Sequence, residues 1–412
     1  MSRTRTEPPA NGNRLKVAGL FAGIGGLELG LSRVGHLALQ FCELDPGANA
    51  VLRSRFPDVA LHDDVTTLRC LPKDVDLVAA GFPCQDLSQA GATKGLGGEQ
   101  SILVDHAFRL LSAGDVPWVL LENVPFMLQL GRGSAIRHVT SELERLGYEW
   151  AYRVIDTRAF GLPQRRERVF ILASRTESPA WRLLGTDSTP DVREMTDGVA
   201  CGFYWTEGVR GLGWAVDGVP TLKGGSTIGI PSPPAIWMPD GSLVTPDIRD
   251  AERLQGFEAD WTLPAADVVR ASHRWKLVGN AVSVPVAEWI GSRMAEVANP
   301  DWEPMNAQPF NPDGAWPRVA FSGRGDVWTL TQSTWPVAIP AQPLVDFLKH
   351  PTKPLSHRAL KGFQARLGRG TLRRPAAFDR DLERLVAATE AALPPMASAR
   401  SVVGRIGSVR SG

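Results

Sequence analysis

A chain of 412 residues is longer than one hydrophobic core usually organises, so two or three domains are expected. Its 43% hydrophobic and 22% charged residues are ordinary for a globular protein, and a net charge of +1 excludes a polycation that holds nucleic acid by bulk charge; a polyanion would have to meet a local basic patch. The four cysteines, Cys42, Cys70, Cys84 and Cys201, show no CxxC pairing and no zinc-ligand spacing, which argues against a disulfide scaffold or a metal site and fits a reducing, cytoplasmic compartment.

Residues 1–14 are polar, lack a signal-peptide core and read as a disordered leader, and no apolar run further on has the length of a membrane span. Apolar strands then alternate with amphipathic segments. Strands are expected at Lys16–Leu20, Leu37–Cys42, 76–80, 118–122, 148–155 and 169–173, and helices at 26–34, 46–56, 102–113 and 136–146. That rhythm predicts an α/β fold, a doubly wound, mostly parallel sheet with helices on both faces.

The motifs fall at the junctions of these elements. Phe21-Ala22-Gly23-Ile24-Gly25-Gly26 joins the first strand to the first helix, where glycines let a ligand approach free backbone N–H groups. The run departs from G-x-G-x-x-G, which favours a smaller adenosine-bearing cofactor over a dinucleotide; a tight strand–helix turn is the structural alternative. Glu43 ends the second strand, where an acid binds ribose hydroxyls, and Asp64 ends a third short element, within reach of an adenine amino group. Cys84, in Gly81-Phe82-Pro83-Cys84-Gln85-Asp86, follows a strand among residues that break it, a position suited to reaction, whereas a lone cysteine is otherwise most often buried. Glu122-Asn123-Val124 ends the next strand on the same edge, so a thiol and a carboxylate can face one pocket; the alternative is a charge at a helix N-terminus. In Gln164-Arg165-Arg166-Glu167-Arg168, alternation puts Arg166 and Arg168 on one face, suited to a phosphate or a base carbonyl, or else to a salt-bridged surface strand.

Between residues 175 and 243 the rhythm stops and Gly, Pro and Trp become dense, which predicts a small loop- or β-rich insert. Helical patterning returns at 248–255 and 284–297, on either side of Gly279-Asn280-Ala281-Val282-Ser283-Val284-Pro285. After residue 300 comes a Pro- and Trp-containing stretch with a helix expected at 379–392. Its Arg366, Arg369, Arg373 and Arg374 form a short basic stretch, expected to add sequence-independent affinity for a phosphate backbone, with docking of a partner protein as the rival reading.

Taken together, the ordered blocks resemble the C5-cytosine DNA methyltransferases. Phe21 to Gly26 resembles that family's S-adenosylmethionine loop, Pro83-Cys84-Gln85 its nucleophile motif, Glu122-Asn123-Val124 its acid motif and Gln164 to Arg168 its arginine motif. Arg253-Leu254-Gln255-Gly256-Phe257 resembles the block after the target-recognition region, and Gly279-Asn280 to Pro285 the last block. The resemblance implies a Rossmann-like methyltransferase fold. It divides the chain into a catalytic and cofactor-binding domain (15–175 plus 270–299), a small target-recognition domain (176–269) and a C-terminal extension (300–412).

It further implies Cys84 as nucleophile on C6 of a flipped cytosine, Glu122 as the group acting on N3, and Arg168, supported by Arg166, on the C2 oxygen. Phe21, Gly23, Ile24, Gly25, Glu43, Asp64, Val65, Leu103 and Asn280 would line the S-adenosylmethionine site. Duplex DNA is the implied substrate, and a restriction or defence-system protein an implied partner, with no metal and no membrane. One branch of the family modifies transfer RNA and carries a Cys-Phe-Thr signature; Cys201-Gly202-Phe203 is not that sequence. A catalytically silent DNA-binding scaffold would lack the Cys or the Glu, and both are present.

Overall fold

The computed structural model describes residues 14–83, 103–191, 193–196, 198–207, 209, 211–224, 233–297, 299, 301–311, 313–323 and 325–393. The first half of the chain runs β1 (Lys16–Leu20), α1 (Gly26–Arg33), β2 (Leu37–Cys42), α2 (Pro46–Arg55), β3 (Ala60–His62), β4 (Leu77–Gly81), α3 (Leu103–Ser112), β5 (Trp118–Asn123), α4 (Ser134–Arg145), β6 (Glu149–Asp156), β7 (Gln164–Arg165) and β8 (Glu167–Ser174). β4 and β5 are apolar on both faces, as strands covered by helices on two sides must be. Asp45 starts α2 by accepting from the backbone of Gly47 and Ala48, with Pro46 fixing the first helical residue.

The strands stack in the order β3-β2-β1-β4-β5-β8-β6. The first five are mutually parallel, and β8 runs antiparallel between β5 and β6, so six of these seven point one way. One face packs against α3 and α4 through Phe108, Leu111, Ile136 and Leu143. The other packs against α1 and α5 (Ala180–Leu184), and against a helix returning from beyond the insert, α8 (Val284–Ala295). Between β1 and β4 the strand order reverses, and their carboxyl ends open the crevice where such sheets bind ligands.

The insert contains β9 (Cys201–Phe203), β10 (Ala215–Val216), β11 (Val219–Pro220), β12 (Ala235–Trp237), β13 (Leu243–Thr245) and α6 (Ile248–Leu254), and α7 (Arg274–Asn280) leads back to α8. β11 pairs with β7 of the large-sheet half, which ties the insert to it at Gln164 and Arg165.

The chain after residue 300 does not stand apart. β14 (Gln308–Pro309), β15 (Val319–Gly323) and β16 (Asp326–Thr329) extend the large sheet beyond β6 to ten strands. After α9 (Leu344–Phe347), β17 (Lys353–Pro354) completes the small sheet β10-β9-β12-β13-β17. α10 (His357–Leu367) and α11 (Ala376–Ala391) close over it, with Phe363 and Phe378 each 5.3 Å, centroid to centroid, from Phe203. Two of the four arginines expected to meet DNA are spent inside this packing. Arg366 donates to the carbonyls of Trp205 and Glu207, and Arg374 pairs with Asp379. Arg369 and Arg373 are exposed.

Candidate active site

The loop from Phe21 to Gly26 turns sharply at the carboxyl end of β1, with positive φ at Phe21 (53°), Gly23 (56°) and Gly25 (82°). Among the described residues, and apart from its chain neighbours, nothing lies within 4 Å of where a Cβ on Gly23 would sit, so its backbone faces open space. The Gly23 N–H donates to Glu43 Oε2 at 2.7 Å, and Glu43 Oε1 accepts from Asp45 N at 2.8 Å. Burial pushes the Glu43 carboxyl up, and these two N–H groups pull it back. Burial also opposes ionisation of Asp45, but His273 at 2.8 Å and Lys276 at 3.1 Å outweigh it and its pKa falls. Asp45 thereby links the turn after β2 to α7, whose last residue is Asn280.

The other sequence-derived cofactor residues divide by what they can offer. Ile24 buries its side chain among Ala48, Val51, Phe257 and Trp261 and gives its carbonyl to Trp261 Nε1, so its remaining contribution is a backbone N–H. Asp64 accepts from Thr66 N at 2.8 Å, which lowers its pKa. Val65 is buried in the core, and Leu103 at the start of α3 is half-buried against it. Asn280 is exposed and its side chain lies over Gly224. Leu44 went unnoticed in the sequence, although it sits between Glu43 and Asp45; it is 71% exposed.

Glu122 is buried at the end of β5, its Oε1 3.1 Å from Arg168 Nε. Burial raises its pKa, and Arg168 and then Arg166 pull it down. Arg168 also donates from Nη1 to the Glu167 carbonyl at 2.7 Å. Arg166 is engaged differently. It donates to the carbonyls of Leu222 (3.1 Å), Gly279 (3.2 and 3.3 Å) and Ala281 (2.6 Å), which lashes the insert and the last sequence block to the arginine motif.

Asn123 and Gln164 were motif letters without a role, and each proves to hold backbone. Asn123 donates to the Phe82 carbonyl at 3.0 Å. Gln164 donates to Leu254 O and accepts from Leu222 N. Gly81 pairs in register with Glu122, so β4 ends beside the buried carboxyl. Three residues further along the chain is Cys84, which lies outside the described residues.

Residues 15–194 match the family model of the C-5 cytosine-specific DNA methylase. The Type II methyltransferase M2.BsuMI of Bacillus subtilis is 48% identical over 370 residues, 87% of this chain and 94% of that protein. The chain belongs to the C5-cytosine-specific DNA methylase family. Type II methyltransferase M.Bsp6I of a Bacillus species is 28% identical to this DNA methylase, over 68% of the chain and 98% of its own length. Among solved structures, S. pombe Dnmt2 methyltransferase superposes with a TM-score of 0.52 at 18% identity, covering 68% of this chain and 98% of its own, a likeness of fold. Among the described residues of the methylase, no helix is long and apolar enough to cross a membrane, and no three His, Cys, Asp or Glu side chains group to hold a metal ion.

Proposed function

We propose that this methylase transfers a methyl group from S-adenosylmethionine to C5 of a cytosine flipped out of duplex DNA. In this reading it acts in the cytoplasm as the modification enzyme of a restriction–modification system, alongside a nuclease or related defence protein. The names of its relatives, Type II methyltransferases, support the setting. The observation that carries the chemistry is the buried Glu122–Arg168 pair at the end of β5, beside the strand that leads into Cys84.

The crevice suits the cofactor by its donor set. Gly23 leaves backbone open, Glu43 offers the remaining lone pairs of both oxygens to ribose hydroxyls, Leu44 offers an uncovered apolar surface to an adenine ring, and Asp64 and Asn280 offer polar atoms. When bound, S-adenosylmethionine supplies an electrophilic methyl group.

The chain's own residues make cytosine able to accept it. C5 is a weak nucleophile until the Cys84 thiolate adds to C6 and pushes an electron pair toward C5, N3 and the C2 oxygen. Glu122, whose burial favours the neutral acid, donates its proton or a hydrogen bond to N3. Arg168 places positive charge where the C2 oxygen becomes negative, and Arg166 positions that strand. Loss of the C5 proton then expels Cys84.

A duplex with 5-fluorocytosine at the target tests this, because fluorine cannot leave as a proton and the covalent adduct persists. Wild-type protein should be trapped on the duplex. Cys84→Ser should give no adduct and no methylation while binding S-adenosylmethionine nearly as well. An untrapped wild type, or a serine variant that methylates at a comparable rate, would remove Cys84 from the mechanism; bisulfite sequencing of DNA from expressing cells reads out the target site.

A further inference from the structure

A cavity of about 660 Å³ lies far from this crevice. It opens where Glu149 begins β6 and where the chain leaves β8 after Ser174, its antiparallel partner. Arg153, four residues into β6, is level with Glu122 through Phe170, so Glu149 lies about 13 Å behind the catalytic carboxyl along the strands. Open α/β sheets bind substrate at the other end. This cavity is therefore separate from that crevice, and one wall of it comes from the strands contributed after residue 300.

Its lining is aromatic and acidic. Trp181, Trp302, Phe321 and Trp328 form walls, Glu149 and Glu177 bring carboxylates, and among the described residues no lysine or arginine lines it. Aromatic faces here already accept cations from the protein itself. Arg182 and Arg293 lie 4.6 and 4.9 Å from the Trp181 ring centroid, and Arg182 also binds Glu177 at 2.8 Å. Trp302 and Trp328 have no such cation over them among the described residues, and Glu149 is exposed with no ion pair there. Carboxylates repel a DNA phosphate, and an indole face attracts an alkylammonium or guanidinium group by its quadrupole.

We propose that this cavity binds an organic cation, an alkylammonium or guanidinium group held over Trp302 and Trp328 with Glu149 as counter-charge. The group can come from a free polyamine or from an arginine side chain of a partner protein.

Titrate the full-length protein with spermidine and, separately, with an arginine-bearing peptide, reading tryptophan fluorescence and heat. Saturable binding of either supports the site, spermidine alone pointing to the free polyamine and the peptide alone to a partner. Trp302→Leu keeps an apolar wall but removes the quadrupole, and should weaken binding roughly tenfold. Glu149→Gln should weaken it several-fold. Both variants should bind S-adenosylmethionine as wild type does, which shows that they fold. No saturation with either cation, equal binding of neutral hexanediol, or wild-type cation affinity in both variants would each overturn the proposal and leave the methylase reading untouched.

Discussion

Glu43 and Glu28 are both carboxylates near the Phe21–Gly26 turn, and their surroundings give them different work. Glu43 accepts two backbone N–H groups and keeps lone pairs for a ligand. Hydrogen bonds to a charged group contribute roughly 1.5–3 kcal/mol each, so Glu43→Ala should weaken S-adenosylmethionine binding at least about tenfold by calorimetry; unchanged affinity would move the ribose contact elsewhere. Glu28, in the first turn of α1, is fully buried over Gly19, and neither of its oxygens has a partner among the described residues. Burial first, then Glu43, drives its pKa from 4.5 to about 8 against the pull of its own backbone. The folded protein therefore holds more protons than the unfolded chain between those values, and the Glu28 contribution, whole below pH 4.5, is lost as pH rises through 8. Glu28→Gln abolishes that titration and should stabilise the protein by on the order of 3 kcal/mol at pH 7 and much less near pH 5. Denaturant melts at the two pH values check this, and an equal shift at both would exclude a titrating Glu28.

At the scale of elements, β1, β2, α1 and α2 stand within a residue of their sequence-based bounds, because each combines a clean hydrophobic period with a glycine, proline or aspartate at its ends. The sequence carries little signal for α7, since seven residues give little period and its packing comes from elsewhere. Gly279 has no room for a Cβ because the backbone of Lys223 and Gly224 lies directly on it. The arginine motif shows the same limit. Alternation put Arg166 and Arg168 together, but only the fold gave Arg166 three carbonyl-bearing residues from two distant segments to hold. Arg166→Met leaves those buried carbonyls without a donor, and should destabilise the protein by at least about 3 kcal/mol and loosen cofactor binding through Asn280. Thermal melting and calorimetry measure both, and a variant that melts with the wild type would show the tie to be dispensable.

For the whole molecule, the decisive contacts cross residue 300. β15 covers the edge of β6, β17 pairs with β13, and Phe363 and Phe378 fill the small sheet's aromatic cluster. A chain ending near residue 300 would expose an unpaired strand edge and an apolar sheet face, so we expect it to aggregate or fail to bind S-adenosylmethionine. A soluble monomer with wild-type cofactor affinity would show that the last hundred residues are an accessory after all.

What the sequence determined by itself was local and periodic. Strand–helix alternation named the sheet, and the short blocks named the family and brought Glu43, Glu122 and the arginines to notice, because backbone turns and reactive groups at strand ends demand particular residue types. Tertiary structure alone decided what those residues touch. The Glu122–Arg168 pair, the Asp45 link to His273 and Lys276, the Arg166 lashing and the joining of residues 308–329 to the large sheet all connect segments far apart in the chain. Such pairings depend on register and burial across the sheet, and neither leaves a mark in the spacing of residues along one strand.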